Sequence, residues 1–135
     1  TGASVPSLDA SNLFASPDGL WIDQFGTLWI QTDMSGAQLT GGPFGNNQML
    51  ACDPNTGEVR RFFTGPVNCE VTGVALTPDG RTMFINIQHP GETASDRSDP
   101  AAPAKYSNWP DYLPGGRPRS ATVVIRKKDG GVIGS

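Results

Sequence analysis

The sequence predicts an all-β fold, a partial β-propeller of about two four-stranded antiparallel blades. Three observations predict it. Gly and Pro, 17 and 12 of 135 residues, exceed a fifth of the chain, while apolar residues make up only 36%. That balance favours short strands joined by many turns. Second, the chain repeats itself. Gly19-Leu20-Trp21-Ile22 through Gly26 to Leu28-Trp29-Ile30 matches Gly73-Val74-Ala75-Leu76 through Gly80 to Met83-Phe84-Ile85. The offset is 54 residues at the glycines and 55 in the second strand. Third, units of roughly 40–50 residues with four short strands each are the mark of propeller blades.

The elements follow in order. Residues 1–17 lack periodicity and end in the turn cluster Ser16-Pro17-Asp18-Gly19. Strands at 19–22 and 27–32 are rich in aromatic and β-branched residues and bounded by Gly, which reads as a hairpin. Residues 34–47, with five Gly or Pro, read as a loop. Strands at 48–52 and 59–64 flank the turn Asp53-Pro54-Asn55-Thr56-Gly57 and complete blade one, about 18–64. Blade two, about 70–127, has strands at 71–76, 83–87 and 122–127 and lacks a fourth. Its long loop 88–119 is rich in Pro, Ser and Asp. Structureless loops of that length are uncommon, and where they occur they are usually functional or disordered. Repeat units need about three copies to bury their faces. The faces around Trp21, Trp29 and Phe84 are therefore expected to stay partly open, or to be covered in a homo-oligomer.

Charge divides unevenly. Residues 1–100 carry 11 acids against 4 Lys or Arg, a balance of −7; residues 101–135 carry 2 against 6, a balance of +4. A net −3 and a basic run of only Arg126-Lys127-Lys128 point away from nucleic acid. No apolar run is long enough to cross a membrane as a helix. Cys52 and Cys69 have no metal-ligand spacing, and the sequence leaves a disulfide between them open. No Ser/His/Asp signature or phosphate-cradling Gly loop is present.

In a four-stranded meander, the start of strand one and the link between strands two and three share one end of the blade. Asp18, Asp33, the 34–47 loop, Asn68, Glu70 and the His89 loop are therefore expected at one end. Asp18 and Glu70 would stand nearest the propeller axis. Carboxylates converging there repel unless a cation sits among them. Oxygen ligands suit hard cations such as Ca²⁺, Mg²⁺, Mn²⁺ or Fe³⁺. Each has a structural alternative: a turn for Asp18, a loop cap for Asp33, a surface role for His89, and a small buried side chain for Cys69.

Phe63-Thr64-Gly65-Pro66-Val67-Asn68-Cys69-Glu70-Val71-Thr72-Gly73, followed by the run from Thr77-Pro78-Asp79-Gly80 to Asn86-Ile87-Gln88-His89-Pro90-Gly91-Glu92, resembles the PhoX-type alkaline phosphatases. The Asp18-Gly19-Leu20-Trp21 and Leu28–Asp33 segments fit the preceding blade, and Gly116–Ile125 is similar to the family's C-terminal part. The resemblance implies a secreted or periplasmic bacterial enzyme that hydrolyses phosphomonoesters on a propeller holding calcium and iron. It implies a metal ligand at Glu70, with Asp18 and Asp33 as further candidates. It implies substrate contacts at Asn68, where some members carry a phosphate-binding Arg, and His89 is a further candidate. The family's iron-site cysteine falls further upstream. This chain then reads as a C-terminal piece, inactive alone and binding metal weakly if at all. The alternative is a degenerate propeller serving as a binding or scaffold module.

The fold reading has a direct check. The far-UV circular dichroism spectrum should be dominated by β-structure and turns; a helix-dominated spectrum would contradict it.

Overall fold

Alternation of apolar and polar residues sets which side of each strand is covered. The computed structural model of the chain describes residues 8–92 and 99–135; the first seven residues and the 93–98 part of the long loop lie outside the described residues. The elements are β1 (Pro17–Ile22), β2 (Leu28–Thr32), α1 (Gly36–Gly41), β3 (Gln48–Cys52), β4 (Val59–Thr64), β5 (Glu70–Leu76), β6 (Met83–Gln88) and β7 (Ala121–Ile125). They form two antiparallel meanders, ordered β1-β2-β3-β4 and β5-β6-β7. The expected all-β architecture is found, with four strands in the first sheet and, among the described residues, three in the second.

The core lies between the two sheets. Trp29 and Met49 of the first meet Val71, Met83, Ile85 and Ile87 of the second, all buried, and β5 packs against β1, β2 and β3. Trp29 is fully enclosed, with Phe62 edge-on at 4.9 Å between ring centroids. Its indole N–H donates to Asp23 Oδ2 at 2.9 Å, so the ring's polar atom is satisfied inside the core. The expectation of an open face around Trp29 is thus corrected: the second sheet covers it. Trp21 is half-buried, and Phe84, on the far face of sheet two, is 38% exposed. Leu20 and Ile22 on β1 and Val124 on β7 are exposed as well.

Two further departures have local causes. The 34–47 loop contains the single-turn helix α1, because Gln38 reaches back to accept the Ser35 backbone N–H (2.9 Å) and the Ser16 hydroxyl (2.8 Å). The chain after β7 does more than turn. It carries Ile133 into the main core, where its N–H donates to the Gly80 carbonyl at 2.9 Å. A smaller cluster on the outer side of sheet one buries Ile30, Leu50 and Cys52 under Phe14.

Buried amides join the sheets, Asn47 first among them. Asn47 Oδ1 accepts from the Met34 N–H (2.7 Å) and the Thr32 hydroxyl (2.9 Å). Its Nδ2 donates to the Cys69 carbonyl at 2.7 Å, and its own carbonyl accepts the Gly65 N–H at 2.8 Å. Asn46 adds bonds to the Gly65 and Pro66 carbonyls. Gly65 is required because a Cβ there would overlap Cys69 Sγ. Gln31 Nε2 makes a second bridge, to the Gly73 carbonyl at 3.2 Å.

Removing the Asn47 amide should loosen the joint. Each buried group left unsatisfied costs about 1–3 kcal/mol, so Asn47→Ala should lower unfolding free energy by about 3 kcal/mol. Urea denaturation measures it, and a loss below about 0.5 kcal/mol, the scale of ordinary surface changes, would contradict the assignment.

Candidate functional site

Strand register decides which residues share a level. In sheet one Pro17 faces Thr32 and Leu20 faces Ile30; in sheet two Val71 faces Ile87 and Val74 faces Ile85. The 54-residue offset therefore sets Ser16, not Asp18, at the level of Glu70. Ser16 accepts the Asp33 N–H at 3.1 Å, while Glu70 is paired with Gln88. Asp18 lies in the bulge between Pro17 and Leu20 and is exposed. The matching bulge in β5 is at Gly73, whose φ of 56° a side chain would strain.

Two turns build the site at that end of the sheets. The first leads from Pro66 to Cys69, whose N–H donates to the Pro66 carbonyl at 3.3 Å, with Asn68 at φ 49°. Asn tolerates the left-handed region better than most residues. The second is His89-Pro90-Gly91-Glu92. The Glu92 N–H donates to the His89 carbonyl at 3.0 Å and Gly91 has φ 81°, as a type II turn with Pro then Gly requires. Backbone bonds lace the turns together: Gly91 N–H to the Val67 carbonyl (2.7 Å) and Glu92 N–H to the Asn68 carbonyl (3.2 Å).

His89 stands at their junction. Its Nε2 is 3.2 Å from Glu70 Oε2, and its Nδ1 is 2.5 Å from Glu92 Oε2. Glu70 is nearly buried behind it. His89 itself adopts φ 34°, and its N–H donates to Ser120 Oγ at 3.2 Å. Among non-glycine residues such a backbone costs energy and is held by its surroundings.

On one side of this junction lies a cleft of about 490 Å³, lined by Asp33, Asn47, Asn68, His89 and Glu92 among others. On the other side the 99–119 part of the long loop folds back, pinned by a two-pronged Arg119–Asp111 pair at 2.8 Å, and lines a second cleft of about 390 Å³. Asp33, Asn68 and His89 are thus brought to one cleft, with Glu70 one contact behind; Asp18 lines neither. Sequence reasoning quoted Glu92 in the motif but gave it no role. The Pro-Gly turn was the available signal, since it reverses the chain and returns the residue three positions on.

Glu70, Asp33 and the Asn68 carbonyl are hard oxygen donors of the type that Ca²⁺ accepts. Their number falls short of a full shell, and among the described residues no group of three His, Cys, Asp or Glu side chains is placed to hold a metal ion. The thiols offer nothing softer. Cys52 and Cys69 are free and buried in separate clusters. Burial pushes the Cys69 thiol up to about 12, with the neighbouring Glu70 charge adding to it. Burial raises Cys52 too. Among the described residues no helix is long and apolar enough to span a membrane.

Comparison with known proteins gives a consistent picture. The family model described as "Alkaline phosphatase PhoX" matches residues 3–91. A solved structure of Pseudomonas fluorescens PhoX, in complex with vanadate, a transition state analogue, is similar with a TM-score of 0.77 and 48% identity. The match covers 91% of this chain and 20% of that one, so the chain spans about a fifth of that relative's length. No curated protein matches.

The buried thiol generates a test in the alkaline range. The Cys69 value is raised on folding, so its contribution to stability is complete below the unfolded value of about 8.5. It is lost as pH climbs from there toward about 12. Thermal midpoints measured from pH 8 to 11 should fall more steeply for the native chain than for Cys69→Ala. Parallel slopes would contradict the burial argument.

Proposed function

The chain belongs to the PhoX family of alkaline phosphatases, and from that membership we propose that it supplies one side of a metal-dependent phosphomonoesterase site. The observation that carries this reading is the meeting of Asn68, His89 and Glu92 at one cleft, with Glu70 directly behind His89. Asn68, Glu70 and His89 belong to the stretch that matches the family model, and Glu92 follows it directly. The relative bound to vanadate, a transition state analogue, supports phosphoryl transfer as the reaction class.

In this reading Glu70 and Asp33 give carboxylate oxygens to the metal ions, Ca²⁺ and Fe³⁺ for the whole protein. Held by these residues, such ions would supply positive charge for phosphoryl oxygens and lower the pKa of a water. Asn68 donates its side-chain amide to a phosphoryl oxygen at the cleft wall. An amide carries no charge, so it orients the ester without competing with the ions for the phosphoryl dianion. Phosphate monoesters are among the slowest substrates to hydrolyse unaided, which is why charge neutralisation and placement carry most of the catalytic effect. Asp18 stands outside this group. The protein acts in the periplasm or outside the cell, as its family implies. Calcium takes roughly six to eight oxygen ligands, so blades beyond these 135 residues complete the shell.

The whole protein should hydrolyse phosphomonoesters at alkaline pH and lose activity on chelation of Ca²⁺, while the 135 residues alone should be inactive. Glu70→Gln in the whole protein should lower kcat by about 10–100-fold with the thermal midpoint unchanged. Full activity in that variant would remove Glu70 from the metal site. Binding of phosphate esters without turnover in the native protein would favour a degenerate binding module instead.

A further inference from the structure

We propose that His89 is a positioning residue which, braced by Glu92, fixes the carboxylate of Glu70 in the one orientation the site uses. This rests on the reading of Glu70 as a metal ligand. An imidazole has two ring nitrogens and no other polar atom with which to reach a ligand. His89 has Glu70 Oε2 at 3.2 Å on one side and Glu92 Oε2 at 2.5 Å on the other. Neither ring nitrogen is then left for a phosphoryl oxygen, so His89 acts through Glu70 and not on the substrate.

Placement supports the same conclusion. Glu70 starts β5 and is nearly buried, so one oxygen held by His89 leaves the other directed by the strand. The backbone of His89 is fixed from three directions. Ser120 Oγ accepts its N–H, its carbonyl closes the turn with Glu92, and that turn is bonded to Val67 and Asn68. The left-handed backbone at both His89 (34°) and Asn68 (49°) is sustained by this lacing. Fixing a ligand through a partner's hydrogen bond is a general device, and loss of such a partner commonly costs 10–100-fold in metal affinity or activity. The order of the contacts is carboxylate, imidazole, carboxylate, with the outer Glu92 setting the ring and the ring setting Glu70.

The test uses the intact metal-loaded protein and three variants, His89→Phe, His89→Gln and Glu92→Gln. His89→Phe keeps a ring but removes both nitrogens. Calcium alone, titrated calorimetrically into the chelator-stripped protein, should bind about 10-fold or more weakly in His89→Phe. Its kcat should fall by a similar factor with KM and thermal midpoint unchanged. His89→Gln retains one donor toward Glu70 and should recover part of the affinity; Glu92→Gln should give an intermediate loss. A crystal structure of metal-free His89→Phe should show Glu70 in a different rotamer or in several. Native calcium affinity and an unmoved Glu70 in His89→Phe, alongside lost affinity in Glu70→Gln, would overturn the positioning role alone. Unchanged affinity in Glu70→Gln would overturn the metal reading, and the positioning role with it.

Discussion

The structure depends on how two sheets, each apolar on its inner face, are held in register across a single crossover. Hydrophobic burial of Trp29, Met49, Met83, Ile85 and Ile87 drives the sheets together, but it is non-directional. Direction comes from Asn47, whose amide spans the Thr32–Met34 turn on one side and the Cys69 carbonyl on the other. An aspartate in its place would lack the donor to Cys69, and a leucine would leave the buried Met34 N–H and Cys69 carbonyl without this partner. The amide therefore sets the level at which β5 begins, and with it the position of Glu70.

The rest of the site follows from that level. Glu70 opens β5 one residue after the pinned Cys69. Gln88 faces it across the hairpin, so the chain leaving β6 must turn beside Glu70. That turn uses Pro90 and Gly91 to reverse, and the reversal returns Glu92 to His89. The strained residues Asn68 and His89 sit where the two turns are bonded to each other. The core's rigidity is thus spent on holding two unfavourable backbones next to one carboxylate. Strain concentrated at such a place is what a site needing fixed geometry produces.

Much of this was legible in the sequence. The 54-residue repeat, marked by Gly19 and Gly73, located the strands within one or two residues because bulge glycines and period-two alternation are local signals. Glu70 and His89 were visible for a similar reason: each adjoins a strand end. What was not legible depended on side chains meeting across long separations. Nothing local in Trp29 says that a second sheet will enclose it, since an isolated hairpin with the same residues would expose it. Nothing in Ile133 says that the tail returns to the core 53 residues after Gly80. Asp18 was expected near Glu70 because both stand at the entry of an apolar strand, but the 54-residue offset puts Ser16 at the level of Glu70 and leaves Asp18 exposed in the bulge between Pro17 and Leu20. Helix α1 has a local signal in the Ser35–Gln38 capping box, which the Gly and Pro residues around it outweighed.

The central claim is that this junction presents Glu70 to a metal ion beside a phosphoryl-binding cleft. It is tested most directly by a crystal structure of the intact protein grown with Ca²⁺ and soaked with vanadate. The account predicts an ion within about 2.3–2.6 Å of a Glu70 oxygen, the other oxygen still on His89, and vanadate in the cleft bounded by Asp33 and Asn68. An ion and vanadate bound elsewhere, with Glu70 contacting His89 alone, would contradict it.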